Sequence, residues 1–285
     1  MKKKILSMLT CLLAFVLSLT AFTACGKKGN NKNIVAVVRE DGSGTKSAFM
    51  EILGLKGKSD VDGAIVGYGT AGMLTAVKNN SNAIGYDSLG YVTSEVKILT
   101  VNGVAPSSET IKNGTYKISR PLSIVYQEAK LTNNTNKKYL EFLKSSEAQT
   151  IISENGYITN VDNATNYVPE EGLSGQIDLS GSTSLQPLME KLAAKFEALQ
   201  SGVKVTVAGG GSGTGYNNAK KGVGDFGMIS ETFNSAKADN CTYYTVALDG
   251  IAIIVNKKNN INDISLDNLK GIFNKDDQIK TWDKI

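Results

Sequence analysis

The sequence predicts an α/β fold, because three short apolar runs with strand character each lead through a turn rich in glycine, serine and threonine into a helix. These runs cover residues 34–38 (IVAVV), 177–179 (IDL) and 203–207 (VKVTV). A helix start presents unpaired backbone N–H groups and the positive end of the helix dipole, so each junction is a suitable binding site for an anion. Such turns are also typical of ordinary strand-to-helix connections, and it is their number that favours an oxyanion-binding protein.

The N-terminus resembles a bacterial lipoprotein signal. Three lysines at positions 2–4 precede an apolar stretch over residues 5–22, and small residues precede Cys25. This pattern predicts a signal peptide over residues 1–24, a lipid on Cys25 and a polar tether over residues 25–32. Phe22 is unusual at its position, and an uncleaved membrane anchor is the alternative. Both interpretations place the protein outside the cytoplasm.

The first junction runs from the strand at residues 34–38 through residues 39–45 (REDGSGT) into a helix at residues 46–55. The second continues through residues 180–184 (SGSTS) into a helix at residues 185–199, which has one apolar stripe. The third passes into residues 209–215 (GGGSGTG). Further helices are predicted at residues 71–78, 136–153 and 266–273, and buried strands at residues 118–126 and 250–256.

Composition excludes several classes of function. Removing residues 1–24 takes away three lysines and lowers the formal net charge from +4 to about +1, so nucleic-acid binding has no electrostatic basis. Cys11 lies in the signal and Cys25 is the lipid site, which leaves Cys241 without a disulfide partner. There is no histidine, and neither a metal site nor a cofactor is expected.

Arginine is rare in this lysine-rich chain. The sequence contains Arg39 and Arg120 among 31 basic residues, and Arg39 lies within the first glycine-rich turn. A guanidinium can grip an oxyanion or a carboxylate at two points, so Arg39 is a candidate ligand residue. A structural pair with Asp41 is an alternative that is compatible with this role.

The glycine-rich segments do not match enzyme motifs. Residues 45–47 lack the glycines of a phosphate-binding P-loop, and residues 210–214 miss the spacing of a serine nucleophile elbow by one residue. The usual base for a serine nucleophile, histidine, is absent. The acidic residue that closes a dinucleotide fingerprint is not found in its expected setting. Binding is therefore favoured over turnover, and no catalytic residue is predicted.

Residues 37–45 (VVREDGSGT) resemble the central anion-binding motif of the phosphate-binding proteins of Pst-type ABC transporters. Other blocks resemble the same family, and together they cover nearly all of the chain after the signal. They are residues 82–86 (NAIGY), 180–187 (SGSTSLQP), 209–215 (GGGSGTG), 225–228 (DFGM) and 247–252 (ALDGIA).

The order of these blocks differs from that of the family, in which the SGSTS-like block comes first and the RxDGSGT-like motif lies in the middle. We therefore expect a circular permutation, with the usual ends joined through residues 161–176 and new ends opened between Ile285 and Asn33. Surface termini that lie close together tolerate such a rearrangement. Fragments of two tandem modules are the competing explanation.

The resemblance implies a two-domain, type II periplasmic-binding-protein-like fold with crossing hinge strands, circularly permuted. One domain would comprise residues 33–120 and 256–285 and carry the REDGSGT motif. The other would comprise residues 121–255 and carry the two remaining junctions. Residues 118–126 and 250–256 would be the crossing strands, with the ligand in the cleft between the domains.

The resemblance also assigns ligand-binding roles. One domain would contribute Arg39, Ser43, Gly44 and Thr45, with Asp41 orienting Arg39. The other would contribute the following group: Thr183, Ser184, Ser212, Gly213, Thr214 and Ser230. A carboxylate that accepts the phosphate proton would discriminate against sulfate. Asp41, Ser230 and Glu231 are all candidates for that acceptor, and each serine or threonine is also expected to cap its own helix.

These features predict an extracytoplasmic, lipid-anchored protein that captures inorganic phosphate for an ABC importer. Its partners would be the permease subunits and, through Cys25, the outer face of the cytoplasmic membrane; we expect a monomer. The alternatives are a surface oxyanion sensor or interaction protein of the same fold, and a sulfate-type oxyanion binder. A phosphoryl-transfer or hydrolytic enzyme is a more distant possibility.

Overall fold

A computed structural model describes residues 33–285 of the chain. The predicted signal peptide, the lipid on Cys25 and the tether lie outside the described residues. Within residues 33–285, no helix has the length and hydropathy that a membrane span requires.

The first half of the described chain alternates strands with helices. Its elements are β1 (Val35–Arg39), α1 (Gly44–Ile52), β2 (Ile65–Gly67), α2 (Gly69–Asn79), β3 (Ala83–Ser88), β4 (Lys97–Ile98), β5 (Thr100–Val101), α3 (Ser108–Lys112) and β6 (Ser119–Tyr126). A 3₁₀ turn follows at Glu128–Thr132.

The second half continues this alternation. Its elements are α4 (Asn134–Leu143), α5 (Ser146–Glu154), β7 (Ser174–Gly181), α6 (Gln186–Leu199), β8 (Gly202–Gly210), α7 (Ser212–Lys221), β9 (Phe226–Ile229), β10 (Thr242–Val255), β11 (Asp263–Ile264) and α8 (Leu266–Phe273). Two short 3₁₀ turns, Lys275–Asp277 and Trp282–Lys284, follow α8.

A mixed sheet of nine strands runs through the structure in the order β2-β1-β3-β10-β6-β9-β7-β8, with β4 beside β10. At one end β1 lies parallel between β2 and β3, and at the other β7 lies parallel between β8 and β9. The long strand β10 joins the two parallel groups: its residues 242–250 pair with β6, and its residues 251–255 pair with β3. The predicted α/β class is confirmed.

Each parallel group packs on its own apolar core. One core contains Tyr139, Phe142 and Phe196 from α4 and α6 beneath β6 to β9. The other contains Phe49 and Phe273 from α1 and α8 beneath β1, β3 and the end of β10. Asn33–Ile285 nevertheless form one compact unit, and the domain boundaries at residues 120/121 and 255/256 stay a prediction.

Most predicted elements are confirmed with small shifts at their ends. The single helix predicted at residues 136–153 is wrong, because the chain forms α4 and α5 with a break at Ser145. The Ser145 hydroxyl accepts a hydrogen bond from Ala148 N at 3.4 Å and so caps a new helix, a role that serine prefers over a position inside a helix. The predicted strand at residues 250–256 is the end of the longer β10.

The two ends of the described chain lie side by side. Asn33 forms an antiparallel bridge with Thr281, and Ile34 N donates to Lys280 O at 2.8 Å. Proximity of these ends is a condition that a circular permutation has to meet, while the permutation itself stays a prediction.

Candidate anion-binding site

The site is built around Arg39, the last residue of β1 and almost completely buried at 1% exposure. A hydrogen bond ties the Arg39 backbone to β3: Arg39 N donates to the Tyr86 hydroxyl at 3.2 Å. The guanidinium contacts two hydroxyls that are far from each other in sequence. Nη2 donates to Thr183 Oγ1 at 3.0 Å, and Nη1 donates to Thr45 Oγ1 at 3.4 Å.

The carboxylate that orients Arg39 is Glu40. Arg39 Nε and Nη2 donate to its two carboxylate oxygens at 2.9 and 2.8 Å, and Gly69 N donates to Glu40 Oε2 at 3.1 Å. Burial alone raises the pKa of Glu40, but the hydrogen bonds and charge of Arg39 outweigh that effect and hold the pKa below its usual value.

The predicted contact between Asp41 and Arg39 is wrong. The Asp41 side chain is fully exposed and pairs with Lys46 Nζ at 2.9 Å. The reason is local: residues 40–43 form a turn in which Ser43 N donates to Glu40 O at 3.2 Å and Gly42 has a φ of +82°, which suits glycine. Asp41 is exposed in this turn and within reach of Lys46 of helix α1. Glu40 therefore takes the role that was assigned to Asp41.

The second junction contributes hydroxyls from the start of α6. Ser184 Oγ lies 2.9 Å from Thr45 Oγ1, so the two predicted ligand residues share a hydrogen bond across 139 positions of sequence. Ser182, which was not among the predicted site residues, accepts from Ser184 N and Leu185 N at 3.2 Å each. It thus satisfies the donors at the helix start and fixes the direction of the turn.

The third junction meets the first one directly. Gly213 N, at the start of α7, donates to Gly42 O at 2.9 Å. Ser212 Oγ accepts from Ser230 N at 3.0 Å and lies 3.3 Å from Ser230 Oγ. A Cβ atom placed on Gly44 would overlap Ser212 Oγ and lie 2.8 Å from Ser230 Oγ, so only glycine permits this approach.

Apart from Asp41, which lies outside the cluster, the predicted residues fall into two groups. The structure brings most of them together around Arg39 and Gly44: Arg39, Gly44, Thr45, Thr183, Ser184, Ser212, Gly213 and Ser230. The hydroxyls of two others are used locally. Ser43 Oγ accepts from Lys46 N at 3.3 Å as the cap of α1, and Thr214 Oγ1 donates to Gly210 O at 2.7 Å.

A cleft of about 220 Å³ opens beside this cluster. Its lining includes Ser43, Lys46, Glu231 and Lys237, but neither Arg39 nor the hydroxyls that contact it. Glu231 is only 7% exposed. Its carboxylate already has a partner, because it pairs with Lys237 Nζ at 2.7 Å. In the described part of the chain, no group of three or more histidine, cysteine, aspartate or glutamate residues could hold a metal ion.

Sequence reasoning missed the buried charges behind Arg39. Asp87 Oδ1, on β3, lies 3.9 Å from Arg39 Nη1. Arg120 on β6 and Asp249 on β10 face each other across the strands and pair at 3.1 Å. Arg120 Nη1 also donates to Ser230 O at 3.2 Å. Signals were present, since Asp87 follows the NAIGY block, Asp249 lies in the ALDGIA block and Arg120 is the second arginine.

Comparisons with known proteins agree with this architecture. A family model described as "PBP superfamily domain" matches residues 18–147 and 168–284. The phosphate-binding protein PstS 2 of Streptococcus pneumoniae serotype 4 (strain TIGR4) is 35% identical over 295 residues, which cover 99% of each chain. The PstS protein of Bacillus subtilis is 34% identical over 119 residues, covering 41% of this chain and 39% of that protein.

A solved structure shows the same fold. The crystal structure of a phosphate-binding protein of a phosphate ABC transporter from S. pneumoniae TIGR4 superposes with a TM-score of 0.71 and 35% sequence identity. The match covers 89% of this chain and 99% of that chain. With its mixed α/β sheet, the chain therefore belongs to the PBP superfamily, with a type II periplasmic-binding-protein-like fold, and within it to the family of phosphate-binding PstS proteins.

Proposed function

We propose that this protein is the substrate-binding component of an ABC importer and that it binds inorganic phosphate at the cluster around Arg39. The relatives that match it over nearly their full length are phosphate-binding proteins, and the related crystal structure comes from a phosphate ABC transporter. One observation carries the proposal. The buried guanidinium of Arg39 binds a hydroxyl of its own junction, Thr45, and a hydroxyl of the second junction, Thr183, while the third junction adjoins at Gly44.

The chemistry of the cluster suits a small oxyanion. Glu40 largely neutralises Arg39, so the remaining donors are mainly neutral hydroxyls and backbone N–H groups. Thr45 and Ser184 bond each other here, and rotation about their Cα–Cβ bonds turns both hydroxyls towards a ligand. We assign ligand contacts to Arg39, Gly44, Thr45, Thr183, Ser184, Ser212 and Ser230. Ser43, Gly213 and Thr214 contribute through the helix starts to which they belong.

We infer a two-domain division at the boundaries given above, with β6 and β10 as the crossing strands and with ligand binding favouring the closed arrangement. The two separate apolar cores support this division. The hydrogen bonds that link Arg39 to Thr183 and Thr45 to Ser184 would join the two proposed domains in the closed arrangement. The proposed protein is a monomer that binds without turnover.

Isothermal titration calorimetry with phosphate and with sulfate tests the function. We expect phosphate to bind in the micromolar range or tighter. Thr45→Val removes a buried hydroxyl with little change of shape and should weaken binding by about 10- to 100-fold, which corresponds to about 1–3 kcal/mol. Thr115→Val, at an exposed threonine that bonds only its own turn, is the matched control and should bind as the wild type does.

Absence of phosphate binding by a folded protein would favour the oxyanion-sensor or interaction-protein alternative, and tighter binding of sulfate would favour the sulfate-type binder. Equal losses in Thr45→Val and Thr115→Val would argue against this site.

We also propose that the protein is held outside the cytoplasm by a lipid on Cys25. The lipobox-like sequence at residues 22–25 supports this anchor. Cells that express the wild type should incorporate labelled palmitate into the protein and retain it in the membrane fraction. Cys25→Ser should abolish both, and retention of the label in that variant would refute the anchor.

The circular permutation is likewise a proposal. Two observations support it: the paired chain ends, and a match that runs end to end with the streptococcal relative but covers 41% of this chain with the Bacillus protein. A local alignment with a relative of different block order is expected to cover only part of each chain. Fragments of two tandem modules remain the competing explanation.

A further inference from the structure

The carboxylate of Asp87 is buried behind the proposed ligand site. Its side chain has 0% exposure. One oxygen, Oδ1, accepts from Ser88 N at 2.9 Å and lies 3.9 Å from Arg39 Nη1. The other oxygen, Oδ2, is buried without a hydrogen-bond partner among the described residues. Protonation of such a buried carboxylate is favourable, because it removes the desolvation cost of an unpaired negative charge.

The charged groups around Asp87 come from three other strands of the sheet. Arg39 faces it from β1, Arg120 from β6 and Asp249 from β10, while Tyr157 adds a buried hydroxyl. Arg120 is already paired with Asp249 at 3.1 Å. Arg39 is therefore the principal cation available to Asp87, although Glu40 also holds one edge of that guanidinium.

These opposing influences leave Asp87 close to its titration point at neutral pH. Burial raises the pKa of Asp87 to about 7, even though Arg39 and the Ser88 N–H act in the opposite direction. Asp249 adds a smaller repulsion that also raises the pKa. Burial thus moves the titration of Asp87 from the acidic range to the neutral range.

An oxyanion bound to Arg39 changes this balance. The guanidinium would then lie next to three negative groups: the ligand, Glu40 and Asp87. All four groups would share one buried site. Like charges held close together raise the pKa of the group that can accept a proton. Asp87 has the free oxygen to do so, whereas both oxygens of Glu40 are already hydrogen-bonded.

We propose that Asp87 is a positioning residue that shares Arg39 with the bound anion, and that binding of the anion is accompanied by uptake of a proton from solvent onto Asp87 Oδ2. This inference rests on the proposed function. Protonation leaves Arg39 to the ligand and keeps the buried cluster close to neutral. At a pH well below the pKa of Asp87 the residue is already protonated, so the coupling is absent. At a pH well above that pKa, binding has to recruit the proton, and affinity falls as the pH rises.

The test is calorimetric titration with phosphate at pH 6 and pH 8, each in buffers of different ionisation enthalpy, which counts the protons taken up. Phosphate has its own titration, so the informative quantity is the difference between the wild type and Asp87→Asn, in which the ligand contribution cancels. At pH 8 we expect the wild type to take up more protons, approaching one per ligand. The affinity of the variant should exceed that of the wild type at pH 8, by up to about tenfold per pH unit above 7, and the two should converge at pH 6.

Asp276→Asn is the matched control, because Asp276 is exposed and pairs with Lys58 far from Arg39. It should behave as the wild type does. Infrared difference spectra of the wild type, with phosphate minus without, should show the C=O band of a newly protonated carboxyl at pH 8. That second measurement stands even if Asp87→Asn does not fold.

Equal proton uptake by the wild type and Asp87→Asn at pH 8, or a difference spectrum without the carboxyl band, would overturn the inference while leaving phosphate binding intact. A wild type that does not bind phosphate would refute the proposed function itself, and this inference with it.

Discussion

Arg39 has five N–H donors, so it can keep its hydrogen bonds to Glu40 and still offer donors to a ligand. Nε and one Nη2 hydrogen bind Glu40, and the contacts with Thr183 and Thr45 use further hydrogens of Nη2 and Nη1. A carboxylate held at two points is a strong partner, whereas a neutral hydroxyl rotates away at little cost. An entering oxyanion is therefore expected to replace the hydroxyls and to leave the pair with Glu40 intact.

Gly44 provides a test at the scale of one atom. Its backbone is helical, so Gly44→Ala should not strain the chain, but the added Cβ would collide with Ser212 Oγ and Ser230 Oγ. We expect this overpacking to lower stability by about 1–3 kcal/mol. Because the clash lies among the proposed ligand residues, we also expect phosphate affinity to fall by about 10- to 100-fold.

The control for Gly44 is Gly57→Ala, where φ is +77° and the added Cβ meets open space. This variant should lose about 1 kcal/mol of stability and keep its affinity. Calorimetry and thermal melts of both variants separate the two effects. An unchanged affinity in Gly44→Ala would show that the close approach at Gly44 does not matter for binding.

Single residues of the site were predictable where local chemistry is distinctive. Arg39 stands out because arginine is rare in this chain and lies in a glycine-rich turn. The choice between Glu40 and Asp41 was not predictable, because both acids adjoin Arg39 and only the direction of the turn at Gly42 separates them. The contact with Asp87 joins residues 48 positions apart on neighbouring strands, and no local pattern encodes such a pair.

At the scale of elements, the sequence predicted the type of each helix and strand better than its extent. Periodic apolar residues identified α1, α2, α6 and α8. The break between α4 and α5 depends on the Ser145 hydroxyl taking a capping hydrogen bond, which apolar periodicity does not record. The length of β10 depends on its partners, since β6 pairs with its first part and β3 with its last.

The pairing of β6 with β10 also connects the site to the centre of the sheet. Arg120 and Asp249 form a cross-strand pair there, and Arg120 Nη1 extends the contact to Ser230 O, whose residue bonds Ser212. A fully desolvated ion pair contributes little net stability unless its remaining hydrogen bonds are satisfied. Its value here lies in fixing the position of Ser230 relative to the sheet.

At the scale of the molecule, the order of the blocks along the chain and their arrangement in space are separate facts. The motifs converge on Arg39 even though the REDGSGT segment precedes the other two junctions in sequence. The arrangement of the elements in space is preserved when the ends of a chain are moved, provided that the old and new ends lie at exposed, adjacent points. Asn33 and Thr281 satisfy this condition because they pair directly.

A variant with a rearranged chain order tests the proposed permutation. The variant would start at Asn163, run to Ile285, continue through a short flexible linker to Asn33 and end at Asp162. Both residues at the cut are exposed and lie in a loop outside the helices and strands, so the break should disturb no core contact. We expect a cooperatively folded protein whose phosphate affinity stays within about threefold of that of the unrearranged chain, because site contacts are unchanged. Circular dichroism and calorimetry measure the two quantities. A protein that unfolds, or one that folds and loses phosphate, would indicate that the present chain order is itself required, and would favour tandem-module fragments over a permuted single module.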